Sequence, residues 1–492
     1  MPVSGALWSN GLRLLSRTGM TRLAASRLAA CGLLLGTLAL GGCGTGIRTG
    51  PINAALAGTA SAETAQAPAP AGNFEDTTIG VSFSGGGTRA SAFAFGVLRE
   101  LGRTQIAGEG GRKSALIEQV DIVSSVSGGS ITAAYFALKG PDILQDFRKK
   151  FLMKNVEENL RTEVSLPNLV RLSNSASLND STGLQTWLDE HLFKGATFRD
   201  VFSRGRPKLL INASDIFNRT PFVYNQETFS SLCSDLSTYP LSEAVAASAA
   251  VPLVFAPVVI TNYADRCQYE APRWSQRALR NPNAPAVLKA NAEAVQRYRA
   301  KSDVQYVKLM DGGLTDNLGL TGILLERLSA SQPYEPLTER EAVKMKRLLF
   351  IIVDAGRPPG GDWAKNVATG ASDLIQAVAD TAVDANIRNT YDTFSNNMRD
   401  WNRELIEWRC GLPQERVNAL IGEGQQWNCR NVSFHIVKVT FDQIADPVTR
   451  SGLEKIPTRF NLAEKDVDVV LDSAGLILRR NSAFQRFLST AQ

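Results

Sequence analysis

Histidine is almost missing from this sequence: 492 residues include two, His191 and His435. His191 falls in a stretch with helical spacing, Trp187-Leu188-Asp189-Glu190-His191-Leu192-Phe193. His435 falls inside an alternating run that reads as a strand. Neither neighbours a glycine-rich turn, so a Ser-His-Asp triad has little to be built from, and no histidine cluster is present to ligate a metal. Cysteine is scarce too, with six residues and no Cys-x-x-Cys pair. An excess of one charge is also lacking. The chain has 53 Lys and Arg against 48 Asp and Glu, and four of the arginines (Arg13, Arg17, Arg22, Arg27) lie in the first 43 positions, which hold no acid. The remainder is close to neutral, which excludes the basic excess of a nucleic-acid binder. The apolar run from Leu28 to Leu40 is too short for a comfortable membrane span. What the chain does have is length and a 44% hydrophobic content, enough for one large α/β domain with elaborations.

The run Leu28–Leu40 follows Arg22 and Arg27 and has the length of a signal-peptide core. It ends in Leu40-Gly41-Gly42-Cys43, which resembles a bacterial lipobox, where small residues let a peptidase bind the backbone and the cysteine becomes the acylated N-terminus. Met20 is a candidate true start. An ordinary cleaved signal with a chance cysteine is the competing reading. Gly44, in place of Asp, resembles lipoproteins sent to the outer membrane. Residues 44–75, rich in Ala, Gly, Thr and Pro, cannot bury a core and read as a flexible tether. Cys31 would leave with the signal. Four later cysteines remain, Cys233, Cys267, Cys410 and Cys429, and an even count in an exported chain suggests disulfides. Nearness in sequence favours Cys233 with Cys267 and Cys410 with Cys429, one of three possible pairings. Buried free thiols are the alternative.

The densest signal is Ser124-Ser125-Val126-Ser127-Gly128-Gly129-Ser130. It follows the apolar run Val120–Val123, a strand, and precedes Ile131–Leu138, a helix. A serine between strand and helix with small neighbours is the recipe for a nucleophile elbow, in which a tight turn pushes the hydroxyl outward. The usual Gly-x-Ser-x-Gly has Ser125 for its first glycine. Upstream, the strand Thr77–Phe83 runs into Ser84-Gly85-Gly86-Gly87-Thr88-Arg89-Ala90 and then an apolar helix from Ser91 to Leu101. Three glycines let backbone amides turn toward a ligand, and a helix start favours negative charge there. This is the make-up of an oxyanion hole. Gly85-x-Gly87-x-x-Ala90 also fits a dinucleotide fingerprint, whose acidic partner would have to be Glu109, in a loop rather than at a strand end. A third piece is Asp311-Gly312-Gly313, after the strand-like Val304–Met310.

In this order the three pieces resemble the patatin-like phospholipases, a family of lipid acyl hydrolases with a glycine-rich oxyanion loop and following Arg, a serine elbow, and Asp-Gly-Gly/Ala. Two longer stretches add to the likeness. Ala247-Ser248-Ala249-Ala250-Val251-Pro252-Leu253-Val254-Phe255 is similar to the family's Ala-Ser-x-Ala-x-Pro-x-x-Phe segment, and Asp311–Gly319 to its extended aspartate motif. Ser84 stands where plant members often have Asp. The resemblance implies a Ser-Asp dyad, which needs no histidine. Ser127 would be the nucleophile and Asp311 the base, and the amides of Gly86 and Gly87 the oxyanion donors. Gly85 would shape the loop, Gly128 and Gly129 would follow the serine, and Gly312 and Gly313 would back the aspartate. Arg89 would orient a phosphate or brace the helix. No cofactor or metal is implied.

The alternation of strand-like and helical stretches, the latter around 182–193, 241–250, 319–330, 366–395 and 473–490, predicts an α/β layered fold with a mainly parallel central sheet flanked by helices. The expected organisation is a signal peptide with lipobox over 1–43, a tether over 44–75, and an acyl hydrolase domain over 76–492 with an insertion at about 268–303. Arg273, Arg277, Arg280, Lys289, Arg297, Arg299 and Lys301 make residues 273–301 basic, and Trp274 and Tyr298 are aromatic. That stretch is either an element facing anionic lipid or a solvated helical excursion. Phe93 and Phe95 either line an acyl pocket or pack in the core. The expected activity is cleavage of fatty acyl esters of membrane phospholipids by an enzyme anchored through Cys43 in the bacterial cell envelope, at the outer membrane facing the periplasm or the cell surface. Alternatives are an acyltransferase or lysophospholipase using the same acyl-enzyme, and a catalytically silent envelope lipoprotein that binds lipid or a partner.

Overall fold

Strands buried on both faces read as unbroken apolar runs, and Leu348–Val353 is such a run. It lies inside the strand Arg347–Asp354, buried along nearly its whole length. The computed structural model describes residues 50–56, 76–107, 113–160, 177–180, 182–300, 303–358 and 371–491. Met20, Cys43, Glu109, Lys301 and all of the expected tether except residues 50–56 lie outside the described residues.

Eight strands form the main sheet: β1 (Thr77–Phe83), β2 (Ile122–Val126), β3 (Lys208–Asp215), β4 (Thr220–Tyr224), β5 (Val258–Thr261), β6 (Tyr306–Met310), β7 (Arg347–Asp354) and β8 (Ser433–Thr440). Their order is β8-β7-β1-β2-β3-β6-β5, with β4 on the other edge of β3. The pairs from β8 to β3 are parallel, while β3–β4, β3–β6 and β6–β5 are antiparallel. The sheet is therefore mixed and mainly parallel, with helices on both faces. On one face, α1 (Gly87–Arg103) and a late helix (Glu464–Arg480) cross so closely that a Cβ on Gly96 would lie 2.5 Å from the carbonyl of Leu471. On the other, the 40-residue helix Ala371–Cys410 sets Phe394, Met398, Trp401 and Leu405 against Phe350 and Ile352 of β7.

The register places the sheet's functional end. Residues 211–215 of β3 pair with β4 along one edge. The other edge is shared: β2 pairs with residues 208–212, and β6 meets Ser214 and Asp215 from the opposite direction. The two strands thus approach each other end to end along one neighbour. β2 ends at Val126 and β6 at Met310, and the next residues are Ser127 and Asp311.

Several helices differ from their expected bounds. The helix expected over 366–395 is Ala371–Cys410. The one expected over 473–490 is two, Glu464–Arg480 and Ser482–Thr490, because Asn481 caps the second by accepting from the amides of Ala483 and Phe484. Disulfides join Cys233 to Cys267 and Cys410 to Cys429, the pairing that proximity favoured. Residues 50–56, read as part of a flexible tether, are docked on the domain. Asn53 is buried and donates to Ser234 Oγ and the Thr261 carbonyl while accepting from the Thr261 amide.

The basic stretch at 273–301 contains two helices, Arg273–Arg280 and Ala286–Arg299. Its aromatics turn inward. Trp274 donates to Glu227, and Tyr298 is buried with its hydroxyl on Asp215. Phe93 and Phe95 are core residues, packed against Phe441 and Phe147 with ring centroids at 4.5 and 5.4 Å.

Candidate functional site

Ser127 occupies the turn between β2 and the helix α2 (Gly128–Lys139), with φ 50° and ψ −125°. A non-glycine residue in that region is strained, and strain of this kind costs about 1–3 kcal/mol unless the surroundings fix it. They do. The Ser127 amide donates to Ser248 Oγ at 2.8 Å, and Ser248 in turn donates to the Asn212 carbonyl at 2.6 Å. Asn212 also ties down the strand before the elbow, donating to Ser124 Oγ and the Ser125 carbonyl. Ser125, the departure from Gly-x-Ser-x-Gly, is buried with its hydroxyl toward the Leu210 carbonyl at 3.4 Å, so the turn accommodates its Cβ.

The structure brings Ser127 and Asp311 together. Ser127 Oγ donates to Asp311 Oδ2 at 2.8 Å, and the Gly313 amide donates to Oδ1 at 2.8 Å. The Asp311 amide is held by the Ala250 carbonyl, and its carbonyl accepts from Ser214 Oγ. Gly312 is wedged so that a Cβ would lie 2.3 Å from the Asn212 carbonyl. Both residues of the pair are buried, Ser127 at 5% and Asp311 at 8% exposure. Burial penalises the charged carboxylate and pushes the Asp311 pKa up to about 6, against the opposing pull of the Gly313 and Ser127 hydrogen bonds. A base with that pKa is mostly ionised at neutral pH and within reach of the hydroxyl proton, which meets both requirements of general-base catalysis.

The glycine loop lies against this pair. A Cβ on Gly85 would sit 3.3 Å from Ser127 Cβ. Gly85's amide donates to the Asn317 carbonyl, and the amide of Thr88 to the Arg459 carbonyl. The amide of Ser127 is taken by Ser248. Among the described residues, the amides of Gly86, Gly87 and Gly128 have no hydrogen-bond partner. They cluster at the start of two helices, where backbone donors are unsatisfied. Gly129 packs beneath β1, 2.6 Å from the Ser84 carbonyl by the same measure. Ser84 Oγ accepts from the Ala355 amide, crosslinking the loop to β7.

Arg89 faces inward. It is 2% exposed and donates to the Ile456 carbonyl and to Thr458 Oγ1. Burial, with the like charge of Arg357 behind it, lowers its pKa to about 10. Arg89 thereby ties α1 to the segment 456–459, whose Arg459 carbonyl also accepts from the Thr88 amide. The histidines stay away from the pair: His191 stacks on Trp187 and His435 contacts Phe487.

Sequence reasoning missed Ser248, Asn212 and Asn317 as supports. Ser248 lies in a recognised segment, so its position was visible but its partners were not. Asp316, in the extended aspartate motif, accepts from the amides of Leu318, Gly319 and Thr321 and so folds the turn behind Asp311.

The family model described as Patatin-like phospholipase matches residues 81–324. A search of curated proteins finds no match. Among solved structures, human GIVD cytosolic phospholipase A2 is 11% identical with a TM-score of 0.38, covering 85% of this chain and 62% of that one. VipD from Legionella pneumophila is 12% identical with a TM-score of 0.30, covering 85% of this chain and 67% of that one. At such TM-scores these likenesses add nothing to the fold read from the strands themselves. The family match spans the glycine loop, the elbow and the aspartate motif, and residues 81–324 of this chain are a patatin-like phospholipase domain.

Proposed function

We propose that this protein is an exported, lipid-anchored serine hydrolase that cleaves fatty acyl esters of membrane phospholipids. The observation that carries the reading is the 2.8 Å hydrogen bond from Ser127 Oγ to Asp311 Oδ2 in a buried turn. Asp311 accepts the hydroxyl proton as Oγ attacks the acyl carbonyl. The tetrahedral oxyanion is met by the amides of Gly86 and Gly87, with Gly128 beside the serine. Donors aimed at charge that develops only in the transition state are typically worth about 3 kcal/mol each. Collapse expels the lysophospholipid or alcohol, which takes the proton from Asp311 and leaves an acyl-Ser127 ester. Water, deprotonated by the same carboxylate, then releases the fatty acid. One base serves both halves, so no histidine is needed.

Acylation of Cys43 would hold the enzyme at the envelope membrane that supplies its substrate. The experiment is product analysis of phospholipid vesicles incubated with the full chain. Free fatty acid and lysophospholipid should appear with wild type and be absent with Ser127→Ala. Equal release by both proteins would refute the reading.

A further inference from the structure

Three large apolar side chains stand exposed at one corner of the sheet. Ile216 and Phe217, in the turn between β3 and β4, are 42% and 57% exposed, and Tyr306 at the start of β6 is 51% exposed. They belong to one surface. The Ile216 amide donates to the Lys308 carbonyl, which joins the turn to β6 two residues from Tyr306. The turn is rigid: Asp215 accepts from the amides of Phe217 and Asn218 and from the Asn218 side chain, and Arg297 Nε donates to Asn218 Oδ1. An apolar tip held out by so many bonds is not an unfolded edge.

The charged residues of the turn and of β6 are both cations. Arg219 and Lys308 are exposed, and among the described residues neither has a carboxylate partner. The acid beneath them, Asp215, is 1% exposed and engaged by Tyr298 and Asn218. Glu293 is paired with Arg297. Apolar tips flanked by cations suit the headgroup region of an anionic bilayer, where cations near the surface are attracted to the lipid charge.

The docked N-terminal segment leads to the same corner. Asn53 bonds both backbone groups of Thr261, and Thr261 is the register partner of Tyr306. Ala54 and Leu56 continue along Ser234 and Cys233, beside the disulfide. Six residues separate Cys43 from Gly50, a path of at most about 25 Å. An acyl group on Cys43 would thus enter a membrane within that distance of the docked segment. The same strand β6 runs from Tyr306 directly into Asp311; Leu314, whose amide donates to the Asp311 carbonyl, and Val251, next to the Ala250 whose carbonyl accepts from the Asp311 amide, are each exposed by more than a third.

We propose that the turn Ile216–Arg219, with Tyr306 and Lys308, is the surface on which the domain rests on an anionic phospholipid bilayer. The inference rests on the reading of the chain as a membrane-anchored phospholipid hydrolase. The test uses the full chain in vesicles of brominated phosphatidylcholine, with or without brominated phosphatidylglycerol. In Phe217→Trp, the new tryptophan should be quenched beyond the native background in the mixed vesicles. That extra quenching should fall by roughly half or more in phosphatidylcholine alone, and likewise when Arg219→Glu and Lys308→Glu are added. Turnover of a soluble short-chain ester should be unchanged in every variant, showing that the fold is intact. No extra quenching, or quenching indifferent to charge reversal, would overturn the proposal. Quenching as expected, with no fatty acid released from vesicles by wild type, would instead sink the phospholipase reading and leave the surface standing.

Discussion

Gly128, the residue after the elbow serine, lies directly against the backbone of Gly87 in the glycine loop: a Cβ on Gly128 would come within 2.1 Å of the Gly87 carbonyl oxygen. The serine turn and the glycine loop therefore have no space between them, and their relative placement is set by backbone contact. Such contact leaves no flexible side-chain end to give way.

Gly128→Ala is expected to push the loop off the elbow. Overpacking of this kind typically costs about 1–3 kcal/mol of stability, and displaced donors cost about a hundredfold in kcat. Thermal melting alongside short-chain ester kinetics checks both. Near-native turnover in a folded Gly128→Ala would show that the loop does not supply the donors.

Gly87→Ala adds a Cβ at φ +60° and 2.6 Å from the Arg459 carbonyl. Its effect should fall on kcat rather than KM, because the oxyanion exists only in the transition state while ground-state binding comes from the acyl chain. Titration of NAD and FAD gives the contrast, since a dinucleotide loop would bind one of them and lose it in the variant with esterase activity intact.

Ser248→Ala removes the hydroxyl that holds the Ser127 amide in its strained conformation. The expected result is a drop in kcat of about tenfold or more with KM little changed, since the group positions the nucleophile without touching substrate. A change in KM alone would point to a substrate contact instead.

The acid limb of the rate profile and the stability curve should share one origin. Burial holds the Asp311 pKa at about 6 in the folded chain, against an ordinary 3.8. The folded state binds this proton more tightly than the unfolded chain does. Its contribution to stability is therefore greatest below about pH 4 and is lost as pH rises to about 6. Activity runs the other way, with kcat/KM rising through about pH 6 as the base ionises. Asp311→Asn carries no such charge. It should be nearly inactive, yet more stable than wild type at pH 7 by on the order of 2–3 kcal/mol, with the difference shrinking toward pH 4. Denaturant unfolding at the two pH values checks it, and equal gaps at both would contradict the buried-carboxylate account.

The three motifs were legible because each is a local pattern: small residues at a strand end, glycines before a helix, Asp-Gly-Gly after an apolar run. The strands were legible for the same reason, as in Leu348–Val353. Contacts between distant segments were not. Nothing in Ser248 announces that its hydroxyl receives the Ser127 amide 121 residues away. Nor does Arg89 announce that it reaches Ile456. The basic stretch at 273–301 shows composition without direction, and its Trp274 and Tyr298 turn inward. Phe217, in a short turn without any motif, and Tyr306, at a strand start, are aromatics that reach solvent. Helix ends followed single capping residues such as Asn481, which periodicity does not weigh.

The central claim is that Ser127, deprotonated by Asp311, attacks the acyl ester. The most direct measurement is intact-protein and peptide mass analysis after reaction with an alkyl fluorophosphonate, which phosphonylates an activated serine. The account predicts one adduct, on Ser127. It should be absent in Ser127→Ala and formed far more slowly in Asp311→Asn. An adduct on another residue, or ester hydrolysis surviving in Ser127→Ala, would contradict it.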